Sequence, residues 1–430
     1  MPGMIVLRIF PDILKRLVLP DVVIAVTGSN GKTSTTELVV RVLEASGKRV
    51  GWNHEGSNQT EGIATLLLRV ASFRGIVKSD AIVMECDERY AKRIFESVRP
   101  SVLLVTNLCR DQLTRNGHPE FIGDRLRAAI GVAGGGVAAS GGVSVGGGVK
   151  LVLNADDPYV AALGAKQADV LWFGISPENG KQAHTGIYDD TVFCPVCKER
   201  MTYTYYIAGH YGSYDCKACG LTRHEPDVEA TVRDDGFLVF GDGIKMKMNL
   251  PIITGAYNFC AAVAAARAVG IDVPDSVRAL DGYELTGGRT IRLAVGKDDK
   301  RREGLLLLSK HENSFAYDMA LTWIIKQKKP CTVIVLVDAI SRKYYTSETS
   351  WLWDINFDLL ADDCVESVVL AGRYVNELAA RFVMTEVDQT KIGYVADLGD
   401  LREYVLRNTD GDIHAVTCFS DKVKLLKALN

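Results

Sequence analysis

Thr27-Gly28-Ser29-Asn30-Gly31-Lys32-Thr33-Ser34 sets two glycines, a lysine and four hydroxyls on one short turn. Backbone N–H groups at such a turn, followed by a helix, stabilise an anion. Lys32 adds a point charge for the outer phosphates of a nucleotide, and Thr33 adds a hydroxyl for Mg²⁺. The common phosphate loop has a further glycine five residues before Gly31; here that residue is Val26, so the loop is the shorter G-x-x-G-K-T form. A plain strand-to-helix turn is the bland rival, and the full constellation argues against it. The second chemical signature is Cys194, Cys197, Cys216 and Cys219. Eighteen residues separate the two C-x-x-C pairs, the spacing of a closed four-thiolate zinc ribbon. A single redox pair is the rival, and two pairs at this interval speak against it.

These residues need elements to hold them. Val22 to Val26 reads as a buried strand and Thr33 to Glu44 as the helix after the turn. Further strands are expected at 81–85, 102–106 and 150–154, each ending in polar residues: Glu85, Asn107 and Asn154-Ala155-Asp156-Asp157-Pro158. In open α/β sheets ligands bind beyond the carboxyl ends of the strands, so these ends should face one nucleotide crevice. Tyr203, Tyr205 and Tyr206 lie between the cysteine pairs in a β-prone stretch that predicts a small hairpin. Residues 256–269 predict an Ala-rich helix. The 131–148 stretch of Gly, Ala, Val and Ser reads as a flexible surface insertion. A charged segment at 296–303 marks a break, after which strands at 305–308, 332–337, 367–371 and 414–417 predict a second, Rossmann-like α/β domain without a glycine fingerprint.

The chain has 430 residues, room for two or three domains. Its net charge of -3 gives no basic footprint, so no nucleic-acid partner is expected. Ten cysteines in a metal-type pattern suit a reducing compartment, and no apolar run reaches membrane-spanning length. The cytoplasm is the expected location. The seven histidines form no metal spacing.

Val26 to Glu37 resembles the ATP-binding loop of the Mur ligase superfamily. Asn53 with Gly56-Ser57-Asn58 and Gly62-Ile63, Met84-Glu85-Cys86-Asp87-Glu88, the 106–113 and 154–158 segments, Gly255-Ala256-Tyr257-Asn258 and Gly288-Arg289 are similar to its further central-domain motifs. The MurT subfamily inserts a four-cysteine ribbon there and carries Ser-Trp-x-Trp-Asp in its C-terminal domain, matched by Ser350-Trp351-Leu352-Trp353-Asp354. The resemblance implies an α/β fold: a Mur ligase central ATPase domain with a mostly parallel sheet over 1–295, a zinc ribbon inserted at about 191–224, and a Rossmann-like α/β C-terminal domain over 296–430.

It implies ATP, Mg²⁺ and structural Zn²⁺. The nucleotide would lie on Gly28, Asn30, Gly31, Lys32, Thr33, Ser34, Asn258 and Arg289. Thr33 and Glu85 would hold magnesium, and Lys32 and Glu85 would serve the chemistry. Asp87 and Glu88 are weaker candidates, since acids after a strand are usually solvated. The implied activity is the synthetase half of a glutamine-fed amidotransferase acting on lipid II at the membrane surface. It would pair with a class I glutaminase of the GatD type in a heterodimer. Asp354, with Glu348 as competitor, would complete the partner's Cys–His pair. The chain departs from the subfamily at Lys310-His311-Glu312-Asn313-Ser314, where Lys-Asn-Pro-x-Gly is usual, after Asp338, and at Thr417-Cys418-Phe419-Ser420. The alternatives are another Mur-like carboxylate–amine ligase, with Arg373 or Arg342 binding an amino acid, and a non-catalytic ribbon scaffold.

Overall fold

The computed structural model describes residues 2–54, 57–134, 148–165, 167–184, 186–241, 243–286, 290–298, 301–339 and 349–430. Arg289, Arg342, Glu348 and most of the Gly-rich 131–148 stretch lie outside them. The chain divides into two compact units. The first holds residues 1–109, 116–185 and 189–287; the second holds Arg110–Arg115, Gly186–Tyr188 and Gly288–Asn430.

The first unit is built on strands β1 (Val22–Thr27), β2 (Val50–Trp52), β3 (Ala81–Glu85), β4 (Val102–Val105), β5 (Lys150–Asn154), β6 (Val170–Ile175), β9 (Val228–Val232), β10 (Phe237–Phe240) and β11 (Ile244–Lys247), with β7 (Thr202–Ala208) and β8 (Tyr211–Asp215) forming a separate hairpin. The sheet order is β11-β10-β9-β6-β5-β4-β1-β3-β2. Its pairs from β2 through to β9 are parallel, and the last two, β9–β10 and β10–β11, are antiparallel. Central parallel strands are covered on both faces, which is why β1, β3, β4 and β5 are apolar runs and nearly wholly buried. Each such Val, Leu or Ile contributes roughly 1.5–3 kcal/mol.

Register sets the strand ends level. Val26 pairs with Glu85, Thr27 with Val105, and Val105 with Leu153. The polar residues after these strands therefore emerge on one edge. Above β1 runs the helix Lys32–Ala45, and beside it the helix Ile253–Ala268, whose Ala261, Ala262, Ala264, Ala265 and Ala266 are fully buried. Their small side chains let the helix lie close to its neighbours.

The second unit carries strands β12 (Thr290–Val295), β13 (Arg302–Ser309), β14 (Cys331–Leu336), β15 (Val365–Ala371), β16 (Ile392–Val395) and β17 (Asp412–Cys418), ordered β12-β13-β17-β14-β15-β16. Only β12–β13 is antiparallel. This sheet begins with β12, ahead of the charged segment at which the sequence predicts the break. Among the described residues no helix is long and apolar enough to cross a membrane.

Candidate active site and metal centre

The turn after β1 is built around two glycines. Gly28 has φ 126°, and a Cβ there would lie 2.3 Å from Thr106 Oγ1. Gly31 has φ 80°, and a Cβ there would lie 2.1 Å from Asn258 Oδ1. Both positions thus require the left-handed region and an absent side chain. The strand-end segments grip the turn from one side. Asn107 accepts from Ser29 N (2.8 Å, through its carbonyl) and from Asn30 N (2.9 Å, through Oδ1). Thr106 Oγ1 donates to Asn30 O at 2.7 Å, and Cys109 N donates to Ser29 Oγ at 3.1 Å. From the other side, Thr35 Oγ1 donates to Asn258 Oδ1 at 3.3 Å. Gly31 is the N-cap of the Lys32–Ala45 helix and no side chain caps it, so the turn combines a helix N-terminus with an adjacent cation.

Lys32 is buried. Its Nζ donates to Gly28 O at 2.5 Å and to Glu88 Oε1 at 2.6 Å. Thr33 Oγ1 donates to Glu85 Oε2 at 2.8 Å, and Asn58 Nδ2 donates to Glu85 Oε1 at 2.9 Å. Asn53 clamps the Glu85 backbone by accepting from its N–H at 2.8 Å and donating to its carbonyl at 3.0 Å. The hydroxyl of Thr33 and the carboxylate of Glu85 are hard oxygen donors side by side, a pair that could hold Mg²⁺. Ser34 follows in the first helical turn. The structure thus gathers Gly28, Asn30, Gly31, Lys32, Thr33, Glu85 and Asn258.

The four cysteines also converge. Their sulfurs all lie within 4.8 Å of one another, with Cys194 to Cys219 at 3.5 Å and Cys197 to Cys216 at 3.4 Å. Tetrahedral thiolates around a zinc ion stand about 3.8 Å apart for a Zn–S bond of about 2.3 Å, so the set could hold such an ion. Each knuckle closes on a left-handed residue, Lys198 at φ 67° and Gly220 at φ 77°. The expected hairpin is β7–β8. Met201, Tyr214 and Leu221 make a small core with Ala161 and Ala162 beneath the cysteines.

That hairpin is anchored to the 154–158 segment. Arg223 Nε meets Asp156 Oδ1 at 2.7 Å, and Asp156 Oδ2 accepts from Tyr257 OH at 2.8 Å and Ile175 N at 2.7 Å. Burial pushes the Asp156 carboxyl above its ordinary range, and Arg223 opposes that rise. His210 Nε2 faces Asp157 Oδ1 at 3.6 Å. Burial disfavours the imidazolium, but the Asp157 carboxylate outweighs it and holds His210 above its usual value.

In the second unit, Asp354 ends the 3₁₀ turn Ser350–Asp354 and pairs with Arg110 at 3.3 Å, while Arg110 lies over the Tyr188 ring at 4.2 Å. On this turn the two tryptophans splay: Trp351 is buried and Trp353 about half exposed. The altered 310–314 segment closes on Asp111, which accepts from Lys310 Nζ at 3.1 Å and Asn313 Nδ2 at 2.8 Å.

Residues 26–125 match the model of the Mur ligase middle domain, and residues 310–420 match that of the MurT ligase C-terminal domain. The chain is 28% identical over 405 residues to the lipid II isoglutaminyl synthase (glutamine-hydrolyzing) subunit MurT of Streptococcus pneumoniae, covering 93% of this chain and 85% of that one. It is 25% identical over 392 residues to the subunit of the same name from Staphylococcus aureus, covering 90% and 83%. Along nearly its whole length the chain is thus similar to MurT subunits, with a Mur ligase middle domain followed by a MurT-type C-terminal domain. Solved structures agree on the fold. A pseudomurein peptide ligase type C from Methanothermus fervidus superposes with TM-score 0.70 at 22% identity, covering 97% of this chain and 80% of that one. MurF from Acinetobacter baumannii superposes with TM-score 0.63 at 17% identity, covering 95% and 76%.

The sequence undervalues Glu88 and Asp87, which read there as solvated acids. Both are buried, Glu88 against Lys32 and Asp87 against Arg89 at 2.9 Å. It also passed over Thr106, Asn107 and Arg223 as individual residues. Their signal was present in the polar strand ends, but which atom each one meets depends on contacts distant in sequence.

Proposed function

We propose that the chain is the synthetase subunit of a lipid II isoglutaminyl synthase, an ATP-dependent carbon–nitrogen ligase of peptidoglycan synthesis. The observation that carries this reading is that relatives similar over nearly the whole chain are named as that subunit. The γ-phosphoryl group of ATP passes to a carboxylate oxygen of the stem-peptide D-glutamate, and ADP leaves. The nitrogen lone pair of ammonia attacks the acyl carbon, phosphate departs, a proton is lost, and the amide of D-isoglutamine remains. Lys32 and the N–H groups of the turn offset charge on the transferred phosphoryl. Glu88 holds Lys32 in place. Magnesium on Thr33 and Glu85 would neutralise phosphate oxygens, and zinc on the four cysteines would be structural. Asn258, packed against Gly31, completes the nucleotide site on this unit. Ammonia comes from a class I glutaminase partner of the GatD type, and Asp354 orients the histidine of that partner's Cys–His pair.

The test is ATP-dependent amidation of lipid II by the purified chain, with glutamine and a class I glutaminase or with ammonium salt alone. Wild type should form the amide with either source. Lys32→Ala should lower turnover by about 10³-fold or more with an unchanged circular dichroism spectrum. Retained turnover in that variant removes Lys32 from the phosphate site.

A further inference from the structure

The metal ribbon and the phosphate turn touch the same short segment, Asn154 to Pro158. Two chains of hydrogen bonds and ion pairs lead from the ribbon, through that segment, to opposite sides of the turn. The first begins at Arg223, whose side chain is almost wholly buried. It meets Asp156 Oδ1 at 2.7 Å, and the other oxygen of Asp156 accepts from Tyr257 OH at 2.8 Å. Tyr257 is followed by Asn258, whose Oδ1 fills the space a Gly31 side chain would need and accepts from Thr35 Oγ1. The second begins at His210, at the tip of the β7–β8 hairpin, facing Asp157 at 3.6 Å. Asp157 Oδ2 accepts from Leu108 N at 2.7 Å. Leu108 lies between Asn107 and Cys109, the residues that hold Ser29 and Asn30. Tyr214 OH donating to Ala155 O (2.9 Å) and Gly212 N donating to Asp156 O (2.9 Å) fasten the hairpin between the two paths.

We propose that Arg223 and His210 are positioning residues for nucleotide binding, and that the ribbon is the strut through which they fix both flanks of the phosphate turn. A buried carboxylate such as Asp156 keeps a defined orientation only while its partners are in place. With Arg223 removed, Asp156 loses its cation, Tyr257 loses its fixed acceptor, and Asn258 is free to leave Gly31. A ribbon that merely stabilises the fold would lower the fraction of active chains. A strut changes the affinity of the chains that remain folded.

The inference rests on reading the turn as the nucleotide site, so wild type is titrated first, with MgADP in a calorimeter using the full chain. A wild type that binds no MgADP overturns both readings. With binding established, Arg223→Gln should weaken MgADP by about tenfold while metal per chain and circular dichroism stay at wild-type values. Arg223→Lys should recover most of that loss. If Arg223→Gln does not fold, Tyr257→Phe decides. It deletes one hydroxyl, leaves the ribbon untouched, and should weaken MgADP by about threefold. Folded, metal-loaded variants that bind MgADP as wild type does overturn the strut while leaving the nucleotide site standing.

Discussion

Asp318 is a carboxylic acid placed where water barely reaches it. It sits in the helix Ser314–Lys326, and its Oδ1 accepts from Asn356 N at 2.7 Å. Burial pushes its pKa up to about 7; the Asn356 N–H opposes the rise, the Asp354 charge adds to it, and Arg381 opposes it. The unfolded chain releases this proton near 3.8. Between those two values the native state binds more protons than the unfolded state, so this group's contribution to stability falls as pH rises through the window. Below it, both states are protonated and the penalty is absent. Asp318→Asn keeps the acceptor and removes the charge. The variant should melt above wild type at pH 8 and with wild type near pH 3.5. A difference that does not vary with pH would show that Asp318 is not held protonated in the native chain. None of this is visible in the sequence, where Asp318 is one acid among 53 Asp and Glu residues. Its state is set first by burial, and the Asn356 N–H and Asp354 charge that modulate it come from well downstream in the chain.

At the scale of elements, the two knuckles of the ribbon make an internal comparison. The residue after the second cysteine of each pair turns left-handed: Lys198 at φ 67° in one, Gly220 at φ 77° in the other. A Cβ on Gly220 would meet nothing within 4 Å, so any penalty for adding one is purely of the backbone. Gly220→Ala should destabilise the chain by about 1 kcal/mol, and Lys198→Gly should stabilise it or leave it near neutral, since relief of strain is offset by added freedom when unfolded. Urea unfolding of the metal-loaded chains measures both. A Gly220→Ala chain as stable as wild type would mean the knuckle does not depend on that turn. Elements with local signals were legible in the sequence: the apolar runs of β1, β3 and β5, the glycine turn, the paired cysteines and the Tyr-rich hairpin. What was not legible depends on long-range pairing. The antiparallel β9–β10–β11 extension carries weaker local patterns, Lys32 meets Glu88 across 56 positions, and Arg223 meets Asp156 across 67. Periodicity carries no information about such partners.

For the whole molecule, the question is what a subunit lacks when alone. On the proposed function, the phosphate turn and the Thr33–Glu85 pair serve the activation of a carboxyl group with ATP. Glutamine hydrolysis needs a nucleophile, a base and an acid that orients the base. On the proposed function, the nucleophile and base belong to the partner and Asp354 is the acid. In the second unit Asp354 is partly exposed and already paired with Arg110 at 3.3 Å. An arriving imidazolium would take over the Asp354 carboxylate while Arg110 keeps its place over the Tyr188 ring. Asp354→Asn keeps the shape and loses the charge. It should lower glutamine-dependent amidation by about 10²-fold or more and leave amidation fed by ammonium salt within about twofold, because the ATP chemistry does not involve this residue. Arg110→Ala separates the two roles further: freeing Asp354 should leave glutamine use intact or raise it. Equal loss from both nitrogen sources in Asp354→Asn would place this acid in the fold of the second unit and not in the partner's reaction.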